Sequence, residues 1–401
     1  MKVPRQIAVW GMVAAVSLAA LTFALVRQNK DVRQRSALQV RTSSLAGSEV
    51  FREKGCGACH GPNATGTPSG PALRQRQSLS GLPQLVTAMW NHAPRMWEKM
   101  RARGLEYPAL SYEDTSQIIS YLYISGYADN GGDPDRGRAL FARDQCVRCH
   151  TATKSSGPEL KRLAEAGDPL AWTQALWNHA SEMRNKMTAE GITWPRFQPS
   201  DMRDLFAYVR HAGGSGDQPA ELRGDPDRGW RLFQQKGCIS CHAVSSEATR
   251  MGPNLGPERP LPPTFSEFGA AMLNHFPQME NAVERENSDL PRFEDHEMTD
   301  VAVFLYTLHY LEPTGSPQIG KSVFAWRGCS RCHGDNAEGT REGPALRGRG
   351  RAYTAARLAT DLWGHGARMY ENSRRDGQAW PALQSSDIGH LLTFLNVSPE
   401  K

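Results

Sequence analysis

Cys56-Gly57-Ala58-Cys59-His60 is the stretch on which the reading of this chain turns. It returns as Cys146-Val147-Arg148-Cys149-His150, Cys238-Ile239-Ser240-Cys241-His242 and Cys329-Ser330-Arg331-Cys332-His333. All eight cysteines of the 401 residues are used in these pairs, which excludes a general disulfide scaffold. The first cysteines of successive copies stand 90, 92 and 91 residues apart. That period is longer than a solenoid unit and suits a self-contained domain, so each copy is expected to own its core.

The surroundings repeat too. Five residues before each first cysteine stands a phenylalanine, with a glycine four residues earlier: Gly47 and Phe51, Gly137 and Phe141, Gly229 and Phe233, Gly320 and Phe324. Asp133-Pro134, Asp225-Pro226 and Ser316-Pro317 predict helix starts, with a capping side chain and proline in the first turn. Each motif is followed by Gly-Pro-x-Leu, at Pro71, Pro158, Pro253 and Pro344. A further helix is expected to end at His92, His179, His275 or His365, with Met96, Met183, Met279 and Met369 four residues on. Then come Pro108, Pro195, Pro291 and Pro381, and closing amphipathic segments carrying Tyr121, Tyr208, Phe304 and Phe394. No segment alternates with period two, so the expected fold class is all-α.

Two thiols three residues apart on a helical turn can reach both vinyl groups of one porphyrin, and the adjacent histidine then lies beneath the iron. This is the c-type haem attachment signature. Zinc would require cysteine pairs from different copies to meet, and would not explain a histidine after every second cysteine. A thioredoxin-like redox pair needs a βαβ setting that the pattern lacks. Four covalent haem c groups are therefore expected, tethered by Cys56, Cys59, Cys146, Cys149, Cys238, Cys241, Cys329 and Cys332.

Over residues 44–401 the four copies resemble class I c-type cytochromes, in which an opening helix, CxxCH, a Gly-Pro-x-Leu loop, a distal methionine and a closing helix follow in this order. The resemblance implies four tandem cytochrome c-like domains, with His60, His150, His242 and His333 as proximal iron ligands. It implies that Pro71, Pro158, Pro253 and Pro344 hold the carbonyl that receives the imidazole's other N–H. The opening Gly/Phe pair should cross the closing aromatic. Met96, Met183, Met279 and Met369 are the expected sixth ligands, since a thioether raises the potential and closes the iron to substrates, as suits a carrier. The repeated His92, His179, His275 and His365 are the other candidates, with a protonated role beside a propionate as their alternative task. Trp90, Trp177 and Trp363, replaced by Leu273 in the third copy, read as haem-wall packing without a required indole N–H.

Before the first copy, Lys2 and Arg5 precede an uncharged run over residues 7–26, long enough to cross a bilayer as a helix. A membrane anchor is favoured over a cleaved signal, because Ser17-Leu18-Ala19 would leave apolar residues continuing to Val26. Arg27, Lys30, Arg33 and Arg35 follow it and by the positive-inside rule favour the cytoplasm. The resemblance overrides them, since it implies thioether attachment on the outer side of the bacterial inner membrane. The expected division is an anchor or signal at 1–36 and cytochrome domains at 37–128, 129–217, 218–313 and 314–401.

The formal charge of +5 is mild and acidic and basic residues are interleaved, so nucleic-acid binding gains no support. The function expected is single-electron transfer between a redox-protein donor and acceptor, at the inner membrane with the haem domains on the periplasmic side. The alternative is the haem-bearing subunit of a larger respiratory or photosynthetic membrane complex. A peroxidase or reductase would need an open iron, and every copy keeps both candidate distal ligands; no enzyme activity is expected.

Overall fold

The structure is a computed structural model that describes residues 44–74, 81–129, 131–150, 157–214, 224–245, 251–257, 259–310, 313–348, 350 and 352–397. The apolar run at 7–26 lies outside the described residues. Among the described residues the regular elements are helices, and none is long and apolar enough to cross a membrane.

Each copy has the same order: an opening helix, a short turn of helix at the cysteine motif, a long helix and a closing helix. The opening helices are Ser44–Glu53, Pro134–Arg143, Pro226–Gln235 and Pro317–Trp326. Asp133 and Asp225 accept from the backbone N–H groups two and three residues on, and Ser316 accepts from the Ile319 N–H, while Pro134, Pro226 and Pro317 occupy the first turn. The chain then turns into the motif through a left-handed residue: Gly55, Gly237 and Gly328 at φ 75–79°, and Gln145 at φ 60° in the second copy. A β-carbon is disfavoured there, so the second copy carries strain that the other three avoid.

The closing helices are Tyr112–Ser125, Asp201–Ala212, Glu297–Thr307 and Ser385–Asn396. They cross the opening helices at the repeated glycine. A Cβ at Gly47, Gly137, Gly229 or Gly320 would collide with a backbone carbonyl oxygen of the closing helix, and would stand 2.6–2.7 Å from Cβ of Tyr121, Tyr208, Phe304 or Phe394. Only glycine lets the backbones approach this closely. The same approach pairs the rings of Phe51–Tyr121, Phe141–Tyr208, Phe233–Phe304 and Phe324–Phe394 at centroid distances of 5.3–5.7 Å.

An ion pair outside the repeated motifs ties the same two helices. Lys54–Asp114 (3.0 Å), Arg143–Asp201 (3.5 Å), Lys236–Glu297 (2.7 Å) and Arg327–Asp387 (2.8 Å) join the end of each opening helix to an acid on the closing helix. Each acid lies seven residues before the closing aromatic, so its signal was present in the spacing.

The long helices, Leu82–Ala102, Pro169–Ala189, Phe265–Arg285 and Ala355–Arg375, have 21 residues each. The expected end at the repeated histidine is not found: the helices run on for nearly three turns beyond it, the last of them about one and a half to two turns beyond the methionine. Histidine and methionine therefore share one helical face at i and i+4.

The copies do not own separate cores. One continuous buried cluster runs through the first, third and fourth, including Trp97, Phe276, Tyr306 and Leu362 and reaching Trp177 of the second; a smaller one around Met202 and Leu205 belongs mainly to the second. The long helices pack in two pairs, first with fourth and second with third. Trp90 Nε1 donates to Pro381 O and Trp363 Nε1 to Pro108 O, both at 2.7 Å. Across the other pair Trp177 Nε1 donates to Pro291 O at 2.7 Å. Asparagines add two-way bonds: Asn91 with the Leu383 backbone, Asn178 with Phe293 and Asn274 with Phe197. The tryptophans are thus not indifferent to their indole N–H; it seals the pairing. Leu273 lacks a donor, and there only the converse bond is kept: Trp194 Nε1 of the partner copy donates to the Leu273 carbonyl at 3.0 Å, as Trp380 Nε1 does to the Trp90 carbonyl at 3.1 Å.

First and third copies meet along a tyrosine seam. Tyr127 and Tyr306 rings lie 4.5 Å apart, and Tyr127 O accepts from the Phe265 N–H. The copies consequently touch in the spatial order fourth, first, third, second.

Candidate functional site

In every copy the motif histidine is held by its Nδ1. The Nδ1–carbonyl distance is 2.9 Å for His60–Pro71, 3.0 Å for His150–Pro158, 2.9 Å for His242–Pro253 and 2.8 Å for His333–Pro344. A carbonyl can only accept, so Nδ1 donates, and Nε2 is left with the lone pair that binds a metal. The preceding glycine makes this possible: a Cβ at Gly70, Gly157, Gly252 or Gly343 would press on the imidazole and on the backbone of the second cysteine.

The eight cysteines form no disulfide. Burial pushes the first thiol of each pair up, to about 11 for Cys56, Cys238 and Cys329 and about 12 for Cys146. As a neutral group turned inward, the thiol suits addition to an apolar vinyl carbon.

In the second copy the motif opens on a cavity of about 750 Å³, lined by Cys146, Cys149, His150, His179, Met183 and Leu273 among mostly apolar side chains. This lies within the roughly 300–1,000 Å³ of sites for organic cofactors. Both thiols, the proximal imidazole and both distal candidates face one space, so these residues fit a covalently tethered haem. Trp177 is absent from that lining, in keeping with its role between copies.

Each distal histidine faces its proximal partner. Ring centroids are 6.3 Å apart for His60–His92, 6.3 Å for His150–His179, 6.2 Å for His242–His275 and 6.3 Å for His333–His365. Met96, Met279 and Met369 are half-buried and pack against the large apolar cluster, while Met183 lines the cavity. Burial lowers the His92 and His275 imidazoles, and the facing His60 and His242 add to the effect, with Arg95 and Lys99 also lowering His92. His150 is likewise lowered by burial and by His179, against the Pro158 carbonyl.

Comparison with known proteins agrees with this geometry. The cytochrome c family profile matches residues 44–123 and 226–309. The profile of cytochrome c oxidase, cbb3-type, subunit III matches residues 132–209. Similar curated proteins include the cbb3-type cytochrome c oxidase subunit FixP of Sinorhizobium medicae (strain WSM419), 28% identical over 180 residues, covering 42% of this chain and 60% of the relative. FixPc of Rhizobium leguminosarum bv. viciae is 25% identical over 190 residues, covering 44% and 63%. FixP of Rhizobium meliloti (strain 1021) is 26% identical over 180 residues, covering 42% and 60%. The alignments thus span less than two thirds of each relative. No solved structure matches. Fold, motif geometry and matches together support a multi-haem c-type cytochrome that transfers electrons through covalently bound haem c.

Proposed function

We propose that this chain is a tetrahaem electron carrier, anchored in the bacterial inner membrane by residues 7–26, with its four cytochrome domains on the periplasmic side. The observation that carries the reading is the fourfold recurrence of one constellation: two cysteines, a histidine whose Nδ1 is spent on a proline carbonyl, and a facing long helix. Haem supplies a one-electron couple when bound. The chain's own residues tether it, fix the proximal ring, and enclose it in apolar side chains that disfavour a change of coordination during transfer.

Neighbouring copies are the natural electron-transfer partners, so the contact order fourth, first, third, second supports a route that departs from chain order. The donor and acceptor are redox proteins. A second reading, the haem-bearing subunit of a membrane oxidase complex, is favoured by the FixP relatives, whose names describe subunits of cbb3-type cytochrome c oxidase.

Haem content per chain after denaturation and solvent extraction should be four; two or fewer would refute the tetrahaem reading. The protein should stay with membranes through a high-salt wash and leave with detergent, since salt only screens charge. Recovery as a soluble form beginning near Ala20 would refute the anchor.

A further inference from the structure

We infer that the sixth iron ligand in all four copies is the long-helix histidine, His92, His179, His275 and His365, rather than the methionine one turn later. The inference rests on the reading that each copy binds one haem. Two imidazoles bound trans to one metal, each with a bond of about 2.0 Å and a nitrogen about 1.15 Å from its ring centroid, hold their centroids about 6.3 Å apart. The four observed separations are 6.2–6.3 Å.

Other relations between the rings would give different values. Imidazoles hydrogen-bonded to each other would have centroids about 5 Å apart, and stacked rings would be closer still. A histidine merely packed beside the haem would also be free to drift between copies. These four sit in helices with different neighbours: proline follows the histidine by two residues in the first and third copies but not in the second and fourth. The separation nevertheless holds within 0.1 Å. The gap is one metal atom wide.

The tautomers agree in all four proximal rings and, on the distal side, at His179; at His365 the Arg368 guanidinium donates toward Nδ1 at 3.4 Å instead. Nδ1 of each proximal ring is occupied by the proline carbonyl, and Nδ1 of His179 stands 3.1 Å from Glu182 Oε2. Nε2 is left for iron in each of these rings. Met96, Met279 and Met369, in contrast, already have an apolar cluster to fill, a task thioethers perform without a metal.

The test uses the full haem-loaded chain. Oxidised wild type should lack the red-edge sulfur-to-iron charge-transfer absorption, and its potentials should lie in the lower range of bis-imidazole haems. A sulfur-to-iron band would overturn the inference. Reduced His275→Ala should bind one carbon monoxide per chain, whereas Met279→Leu should bind none and keep its spectrum; carbon monoxide binding by Met279→Leu would overturn the assignment. If His275→Ala loses the third haem altogether, the wild-type band decides alone. Haem content below four with no sulfur band would refute the tetrahaem reading and leave the ligand assignment standing for the haems present.

Discussion

Trp90→Phe tests the pairing of first and fourth copies. Trp90 is 7% exposed and donates its indole N–H to Pro381 O at 2.7 Å. Two residues further along the same strap, the Leu383 N–H donates to Asn91 Oδ1 at 2.9 Å. Phenylalanine keeps a ring against Trp380, now stacked on Trp90 at 5.0 Å, but leaves the Pro381 carbonyl without its donor. Removing one partner of a half-buried hydrogen bond costs about 1–3 kcal/mol. If the strap opens locally, that cost appears as faster amide exchange at Leu383, by about 5- to 150-fold. The Phe293 amide, held in the same way by Asn178 across the second and third copies, serves as internal control. Hydrogen exchange read by mass spectrometry should show acceleration around residue 383 and none around residue 293. Equal exchange at Leu383 in variant and wild type would refute the proposed seal, and equal acceleration at both sites would refute the independence of the two pairs.

Two further perturbations probe the fold within a copy. Gly229→Ala should destabilise the third copy by about 1–3 kcal/mol, because overpacking against backbone outweighs the roughly 1 kcal/mol gained in helix propensity. Gly364→Ala, in a long helix with open space at its Cβ, should be neutral or stabilising in the same thermal melt; equal destabilisation of both would show that the close crossing is not the cause. Burial raises Asp114 and Glu297, yet the Ser111 and Glu294 backbone N–H groups and Lys54 and Lys236 hold both below the ordinary carboxylate range. Their folded values being depressed, the stabilisation is present above about pH 4 and is lost as pH falls through the folded values. Asp114→Asn and Glu297→Gln should therefore each cost about 0.5–1 kcal/mol near pH 7, and the difference from wild type should vanish in acid; a pH-independent difference would refute the ion-pair account.

What the sequence made legible was local. Cys-x-x-Cys-His, the Gly-Pro loop and the Gly/Phe spacing each encode a contact within one copy, and period counting recovers them because the partners keep fixed offsets. The cross-copy bonds do not. Trp90 and Pro381 are 291 residues apart, and nothing in the period distinguishes a first–fourth pairing from a first–second one. The exchange of Trp for Leu273 looked like evidence against a needed N–H. It is instead a site that makes one of two bonds: Leu273 drops the indole donor and keeps the partner's Trp194 bond to its carbonyl, the counterpart of Trp380 donating to the Trp90 carbonyl. Histidine and methionine were inseparable for a related reason: both offsets are invariant, and only the facing proximal ring distinguishes them.

One helix serves both purposes in each copy, and this links pairing to the haem. In the first long helix Trp90 and Asn91 reach the fourth copy, while His92 faces His60, immediately next in sequence. Successive helical residues are about 100° apart, so Trp90 lies nearly opposite His92 with Asn91 between them, and one rigid rod carries the pairing side and the haem side. A rotation of that helix large enough to withdraw His92 from the proximal ring would also pull Trp90 away from Pro381. The same holds for Trp363 and His365 against Pro108, and for Trp177 and His179 against Pro291. Association of the copies thereby holds the distal histidine at one distance from its partner. A fixed coordination sphere is what single-electron transfer asks of a protein, since each change of axial geometry would add to the barrier. In this architecture the constraint comes from a different copy of the same unit, which explains why the pairing residues stand within two positions of the candidate ligand.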